Sequence, residues 1–174
     1  MYLRVTWLML TACALPAQHT LDADAIFSKV KNLSGEWQER STKGWTGNTR
    51  IRVLARGSAV AFESSFPDAP DSGMLTLMYV DNGRLLLTHY CEARNQPTLI
   101  ASSASADGST ITFTFLNGTG MKSRDDGHMD KMMLRFDGTD SYHMQWTWYS
   151  STKERWLEDI EYRRARNQEP GLHR

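Results

Sequence analysis

The chain has 174 residues, 40% of them hydrophobic and 23% charged, enough for one domain with a real core and too apolar for a disordered segment. Its 20 basic and 20 acidic residues cancel, so neither the basic excess nor the basic stripe of a nucleic-acid binder is present. No apolar run reaches the roughly 18 residues expected of a membrane-crossing helix.

The first segment reads as an address. MYLRVTWLMLTACALPAQ places Arg4 before an apolar stretch and ends in small residues, the plan of a secretory signal peptide over residues 1–17. Cleavage after Ala14 or Ala17 fits. The LTAC run at 10–13 resembles a bacterial lipobox, which makes Cys13 a candidate lipid anchor. The expectation is an exported protein, periplasmic or extracellular, free or lipid-anchored. Loss of this segment leaves Cys91 as the one cysteine, so no internal disulfide can form and packing must supply the stability.

Next comes DADAIFSKVKNL at 22–33, a short amphipathic helix. Asp22 or Asp24 can cap it, Ile26, Phe27, Val30 and Leu33 form one apolar side, and Ser34-Gly35 ends it. Beyond Gly35 the texture changes to alternating apolar and polar residues. About ten strands are expected, over 36–41, 48–56, 58–66, 74–81, 84–92, 97–104, 109–116, 128–137, 140–149 and 154–165. Asn82-Gly83, Asp107-Gly108 and Asp137-Gly138 supply hairpin chemistry between them. Even spacing without a second helix predicts an all-β fold, a single antiparallel up-and-down barrel over 22–165 with a polar tail at 166–174.

Faces follow from the period of two. Ile111, Phe113 and Phe115 face inward opposite a row of threonines. His128, Asp130, Met132, Leu134 and Phe136 share one side, and Tyr142, Met144, Trp146 and Trp148 another. Such inward faces make either a filled core or a pocket for an apolar ligand.

At Leu33-Ser34-Gly35-Glu36-Trp37 a short helix leads into Gly-x-Trp on the first strand. This opening resembles calycin-type barrels: lipocalins, fatty-acid-binding proteins and nitrobindin-like proteins. A ten-strand count is similar to the latter two groups rather than to lipocalins. The resemblance implies that Trp37 plugs one end of the barrel and that an arginine of the last strand, Arg163 or Arg164, packs across it by a cation–π contact. Nitrobindin-like barrels hold haem through a late histidine. Here the late strand offers none before His173 in the tail, and no cofactor is assigned. The stretch GSAVAFE…GMLTLMYVDNGRLLLTHYCEARNQP also resembles uncharacterised exported bacterial proteins.

The chemistry gathers at LTHYCEARNQP, residues 87–97. On that strand His89 and Cys91 share a side with Leu85 and Leu87, while Tyr90 points the other way. Asn95-Gln96-Pro97 reads as the turn at the rim. The leading reading is a small apolar or amphipathic ligand in the lumen, with His89, Tyr90, Cys91, Asn95, Gln96, His128 and Asp130 as its polar contacts. Alternatives are an enzyme with Cys91 as nucleophile and His89 or His128 as base, a metal or haem site built from the same residues, and an inert strand end with its turn. RDDGHMDK, at 124–131, lacks the ligand pattern of an EF-hand loop.

Overall fold

The structure, a computed structural model, describes residues 21–150 and 155–165. The expected signal segment with Cys13, and the tail with His173, lie outside the described residues. Helix α1 (Ala23–Lys31) starts where the Asp22 carboxylate accepts the amide of Ala25 at 2.9 Å, a side-chain N-cap. It buries Ile26, Phe27 and Val30. Lys29 then donates to the carbonyl of Gly108 at 2.9 Å.

Ten strands follow: β1 (Gly35–Ser41), β2 (Thr46–Leu54), β3 (Ala59–Ser65), β4 (Met74–Asp81), β5 (Arg84–Tyr90), β6 (Gln96–Ala104), β7 (Thr110–Thr119), β8 (His128–Phe136), β9 (Ser141–Tyr149) and β10 (Arg155–Arg164). Each pairs antiparallel with its sequence neighbours, and β1 pairs with β10, so the sheet is a closed barrel. Closure leaves no unpaired edge for another chain to add to. The ten-strand up-and-down architecture and the N-terminal helix match the sequence expectation.

The hairpin chemistry explains why the strands break where they do. Asn82 and Gly83 both take positive φ, 50° and 73°, as a two-residue turn matched to strand twist requires. The second strand stops two residues earlier than expected, because Ala55 and Arg56 adopt φ of 47° and 55° in a short 3₁₀ turn, Ala55–Gly57. The turn after β5 is also relocated. Cys91 to Asn95 closes it, with Arg94 donating to the Cys91 carbonyl at 2.9 Å and Arg94 at φ 62°. Gln96 and Pro97 already belong to β6, where Pro97 faces Gly118 of β7, an allowed place for a residue with no amide hydrogen.

One half of the barrel is solid. Helix α1 closes the end that carries the β6–β7 turn, and Trp37 sits there almost fully buried, its Nε1 donating to the Leu33 carbonyl at 2.8 Å. Tyr142 meets Trp37 edge-on at 4.8 Å, and Tyr162 stacks flat on Tyr142 at 4.3 Å. Leu85, Leu87, Leu99, Ile111, Phe113, Met132 and Leu134 fill the space around them with no exposure. At the other end, where β1–β2, β3–β4 and β5–β6 turn, the described residues leave a cavity.

A single bulge decides which residues reach that end. Met129 faces Trp148 and Lys131 faces Thr147, so Asp130 is an extra residue against β9. An extra residue reverses the phase of alternation. Met129 and Met132 therefore both point inward, and His128 turns with its partner Tyr149 to the opposite side of the sheet. The expected inward face of His128, Asp130 and Met132 is corrected accordingly.

Candidate functional site

At the end opposite helix α1 the barrel widens into a bowl of about 650 Å³, walled by Trp45, Phe66, Met74, Met129, Trp148 and Trp156. Below it a neck of about 50 Å³ descends between Glu39, Thr76, His89, Trp146, Glu158 and Tyr162. Trp45, Met74, Met129 and Glu158 border both spaces, so bowl and neck form one funnel that ends on the Tyr162–Tyr142–Trp37 stack. The bowl alone falls within the several hundred Å³ usual for small-molecule sites.

The walls come from strand ends. Trp148 and Trp156 face each other across β9 and β10 in register, their rings 6.4 Å apart. Trp45 follows β1, and its ring meets Phe66, after β3, edge-on at 5.2 Å. The Trp45 Nε1 donates to Glu158 Oε1 at 2.5 Å, and the Ser41 hydroxyl donates to the same oxygen at 2.5 Å. Glu39 accepts a hydrogen bond from Thr49, whose hydroxyl also lies 3.0 Å from that of Ser64. Burial pushes the Glu39 carboxyl above its ordinary range despite those two hydroxyls, and the nearby charge of Glu158 adds to the rise.

His89 reaches the neck, from the inner side of β5. Its Nδ1 shares a hydrogen bond of 2.8 Å with the Thr76 hydroxyl, and its ring lies 4.9 Å from Trp146. Nε2 is buried without a partner among the described residues. Burial pulls the pKa of this histidine down to about 4, so the ring is neutral at physiological pH. Cys91 lies higher, on the bowl wall, half-buried and with a free thiol. Burial pushes that thiol up, the opposite of what an activated nucleophile needs, and His89 spends its Nδ1 on Thr76 rather than on sulfur.

The other expected contacts lie elsewhere. Tyr90 is exposed on the outer side of β5. Asn95 is buried, but its amide donates to the Gly127 carbonyl at 2.6 Å, which ties the β5–β6 turn to the segment before β8. Gln96 accepts from the Thr119 hydroxyl at 2.8 Å across β6 and β7. None of the three borders the funnel.

His128 and Asp130 form a separate cluster under residues 120–127. His128 Nδ1 donates to the Asp126 carbonyl at 2.5 Å, Nε2 meets Arg124, and the ring packs 4.8 Å from Phe115. Asp130 pairs with Arg124 and, at 3.3 Å, with Arg155. The Arg124 guanidinium lies over Phe115 at 4.1 Å and over Tyr149 at 5.1 Å. All these groups are partnered, and the cluster pins a loop to the barrel wall.

At the floor it is Arg164 that crosses Trp37, 4.3 Å from the ring centre. Arg163, the other candidate, projects outward and pairs with Glu161. β10 alternates, so only one of two adjacent arginines can take the inner position.

Glu39, Glu158, Trp45, Phe66 and Trp156 escaped the sequence reading. A signal existed for the two glutamates: Glu39 lies two residues from Trp37, and Glu158 two and four from Ile160 and Tyr162, always on the buried side. Trp45 and Phe66 stand in turns, where no period applies. Among the described residues, no three His, Cys, Asp or Glu side chains gather as a metal-ligand set.

Comparison with known proteins places the fold beside two solved structures. One is a protein of unknown function of the DUF3598 family from Nostoc punctiforme, at TM-score 0.53 and 12% identity over 78% of this chain. This chain spans 48% of that protein, about half its length. The other is Rv2717c from M. tuberculosis, at TM-score 0.57 and 12% identity, covering 81% of this chain and 98% of that one. At such identity the likeness is one of fold. No family profile and no curated protein matches the sequence. The chain is thus a closed ten-strand antiparallel barrel, of a shape compatible with ligand binding.

Proposed function

We propose that this chain is an exported, calycin-like binding protein that holds a small amphipathic ligand at the end of its barrel opposite helix α1. The observation that carries the reading is the funnel: an aromatic and thioether bowl of about 650 Å³ above a narrow neck where Glu39, Thr76, His89 and Glu158 stand among Met144, Trp146 and Ile160. A ligand of this class gains from burying its apolar body on indole and phenyl faces, and a few polar groups below orient it. The buried Glu39 and Glu158 carboxyls and His89 lie below the aromatic bowl, so a polar head would enter first. A groove of similar size, about 620 Å³, runs over the outer side of β1 and β2. It is bordered by Gln38, Arg40, Asn48, Glu161 and Arg163 and offers no comparable aromatic wall. The signal-like residues 1–17 support export.

The test is a titration with N-phenyl-1-naphthylamine, a small uncharged dye that fluoresces in apolar surroundings. Saturable binding at one site is expected, weakened about tenfold in Trp156→Ala and in Trp148→Ala, since large aromatic side chains carry most of the contact energy. Absence of saturable binding to the folded protein would overturn the reading.

A further inference from the structure

The funnel carries charge of one sign. Asp68, Glu92 and Glu158 border the bowl, and Glu39 and Glu158 border the neck. No lysine or arginine is among the described residues that border either space. Glu39 and Glu158 are both almost fully buried, and among the described residues they accept hydrogen bonds from Thr49, Ser41 and Trp45 rather than from a cation. Burying carboxylates without a countercharge is costly, and this arrangement does so twice within one cavity. A histidine in the same neck adds an unsatisfied polar group. His89 is 4% exposed, aims into the neck, and leaves Nε2 without a partner.

We infer that the ligand is a protonated amine on an apolar body, its ammonium seated in the neck against Glu158 and His89 and its body lying on Trp45, Trp148 and Trp156. This rests on the proposal that the funnel is a binding site, and it names the ligand's chemistry. Each group has a matching part. The ammonium N–H groups donate to the Glu158 carboxylate and to Nε2 of His89, which accepts when Nδ1 carries its proton toward Thr76. The 50 Å³ neck admits a head of few heavy atoms and excludes a bulky one. Indole faces attract cations through their quadrupole, and Trp156 already receives Lys43, whose ammonium lies 5.4 Å from the ring centre. A carboxylate head entering the same path meets four acidic side chains and no lysine or arginine among the described lining residues. The bulk of the charge selection therefore comes from Glu158, which borders both chambers.

The experiment compares three ligands of one chain length, n-octylamine, 1-octanol and sodium octanoate, as competitors of the uncharged dye on the full chain at pH 7. Octylammonium is expected to displace the dye at a concentration at least tenfold lower than octanol, and octanoate to displace it least. Glu158→Gln keeps an acceptor for Ser41 and Trp45 and is expected to erase the preference for octylammonium over octanol. The head-group ranking on the unaltered protein needs no variant, so it stands even if Glu158→Gln fails to fold. If the dye does not bind at all, the binding-site reading fails. If the dye binds but octanol or octanoate competes as well as octylammonium, the site remains and the amine inference is overturned.

Discussion

The Arg164 guanidinium lies 4.3 Å from the ring centre of Trp37 and from there donates to the Ser34 carbonyl at 3.0 Å and to the Thr139 carbonyl at 3.0 and 3.2 Å. One side chain so ties the last strand to the helix exit and to the β8–β9 turn, over the aromatic plug. Gly35 makes room for it. The backbone there has φ +136°, and a Cβ would stand 2.7 Å from Arg164 Nη1.

Replacing Arg164 by alanine removes the stacking and three charge-assisted hydrogen bonds. A loss of about 2 kcal/mol in urea-unfolding free energy is expected. Arg163→Ala, which deletes only an exposed pair, stays within about 0.5 kcal/mol of the parent. Equal losses would refute the assignment of the two arginines. Gly35→Ala should cost about 1 kcal/mol or more, since it combines an unfavourable φ with a clash.

His89 makes stability depend on pH. Its folded pKa, about 4, lies below the ordinary value of 6.5, so between these values the unfolded chain binds more protons. The contribution is complete above pH 6.5 and is lost as pH falls toward 4. Its size is on the order of 3 kcal/mol. Urea unfolding of His89→Gln across pH 4 to 7.5 should lack this slope, and an unchanged slope would assign acid sensitivity to another group.

Glu39 acts in the opposite sense. Its carboxyl is raised by burial, so the folded state holds its proton to a higher pH than the unfolded state does. Its stabilising contribution is present below the ordinary glutamate pKa and is lost as pH rises through the folded one. Glu39→Gln is therefore expected to melt higher than the parent at pH 7.5 and together with it near pH 4. A variant that melts lower at pH 7.5 would mean that the ionised carboxylate is stabilised in place.

The cluster beside the bulge predicts a local effect. Arg124→Ala strips His128 and Asp130 of a shared partner and leaves Arg155 as the cation next to Asp130. A cost of about 2 kcal/mol is expected, below the full value for breaking a buried pair because the second arginine remains. Amide exchange should accelerate across residues 120–127 while β1 and β10 stay protected.

Local signals accounted for much of the architecture. The run of alternating residues and the Asn-Gly and Asp-Gly turns reported the strands, because the period of a strand is written in consecutive residues. The role of Trp37 as a plug came instead from the resemblance of the Gly-x-Trp opening to calycin-type barrels. Counting in twos put His89 on the side of Leu85 and Leu87, and only the structure shows that this side faces the lumen. Counting failed at Asp130, where one inserted residue reversed the phase, and at Asn95, where Arg94 took a left-handed conformation that no turn motif announced.

The sequence by itself determined that this chain alternates, turns and caps as a ten-strand meander, since those properties depend on neighbours a few positions away. What only the tertiary structure decided is the chemistry of the funnel. Ser41 and Glu158 are 117 positions apart, yet share a hydrogen bond of 2.5 Å, because β1 closes on β10. Barrel closure sets which polar groups meet a partner and which are left waiting. It gathers Glu39, Glu158 and His89 around one small cavity, and the energy of a buried charge or an orphaned nitrogen depends on that company rather than on the residues beside it in the chain.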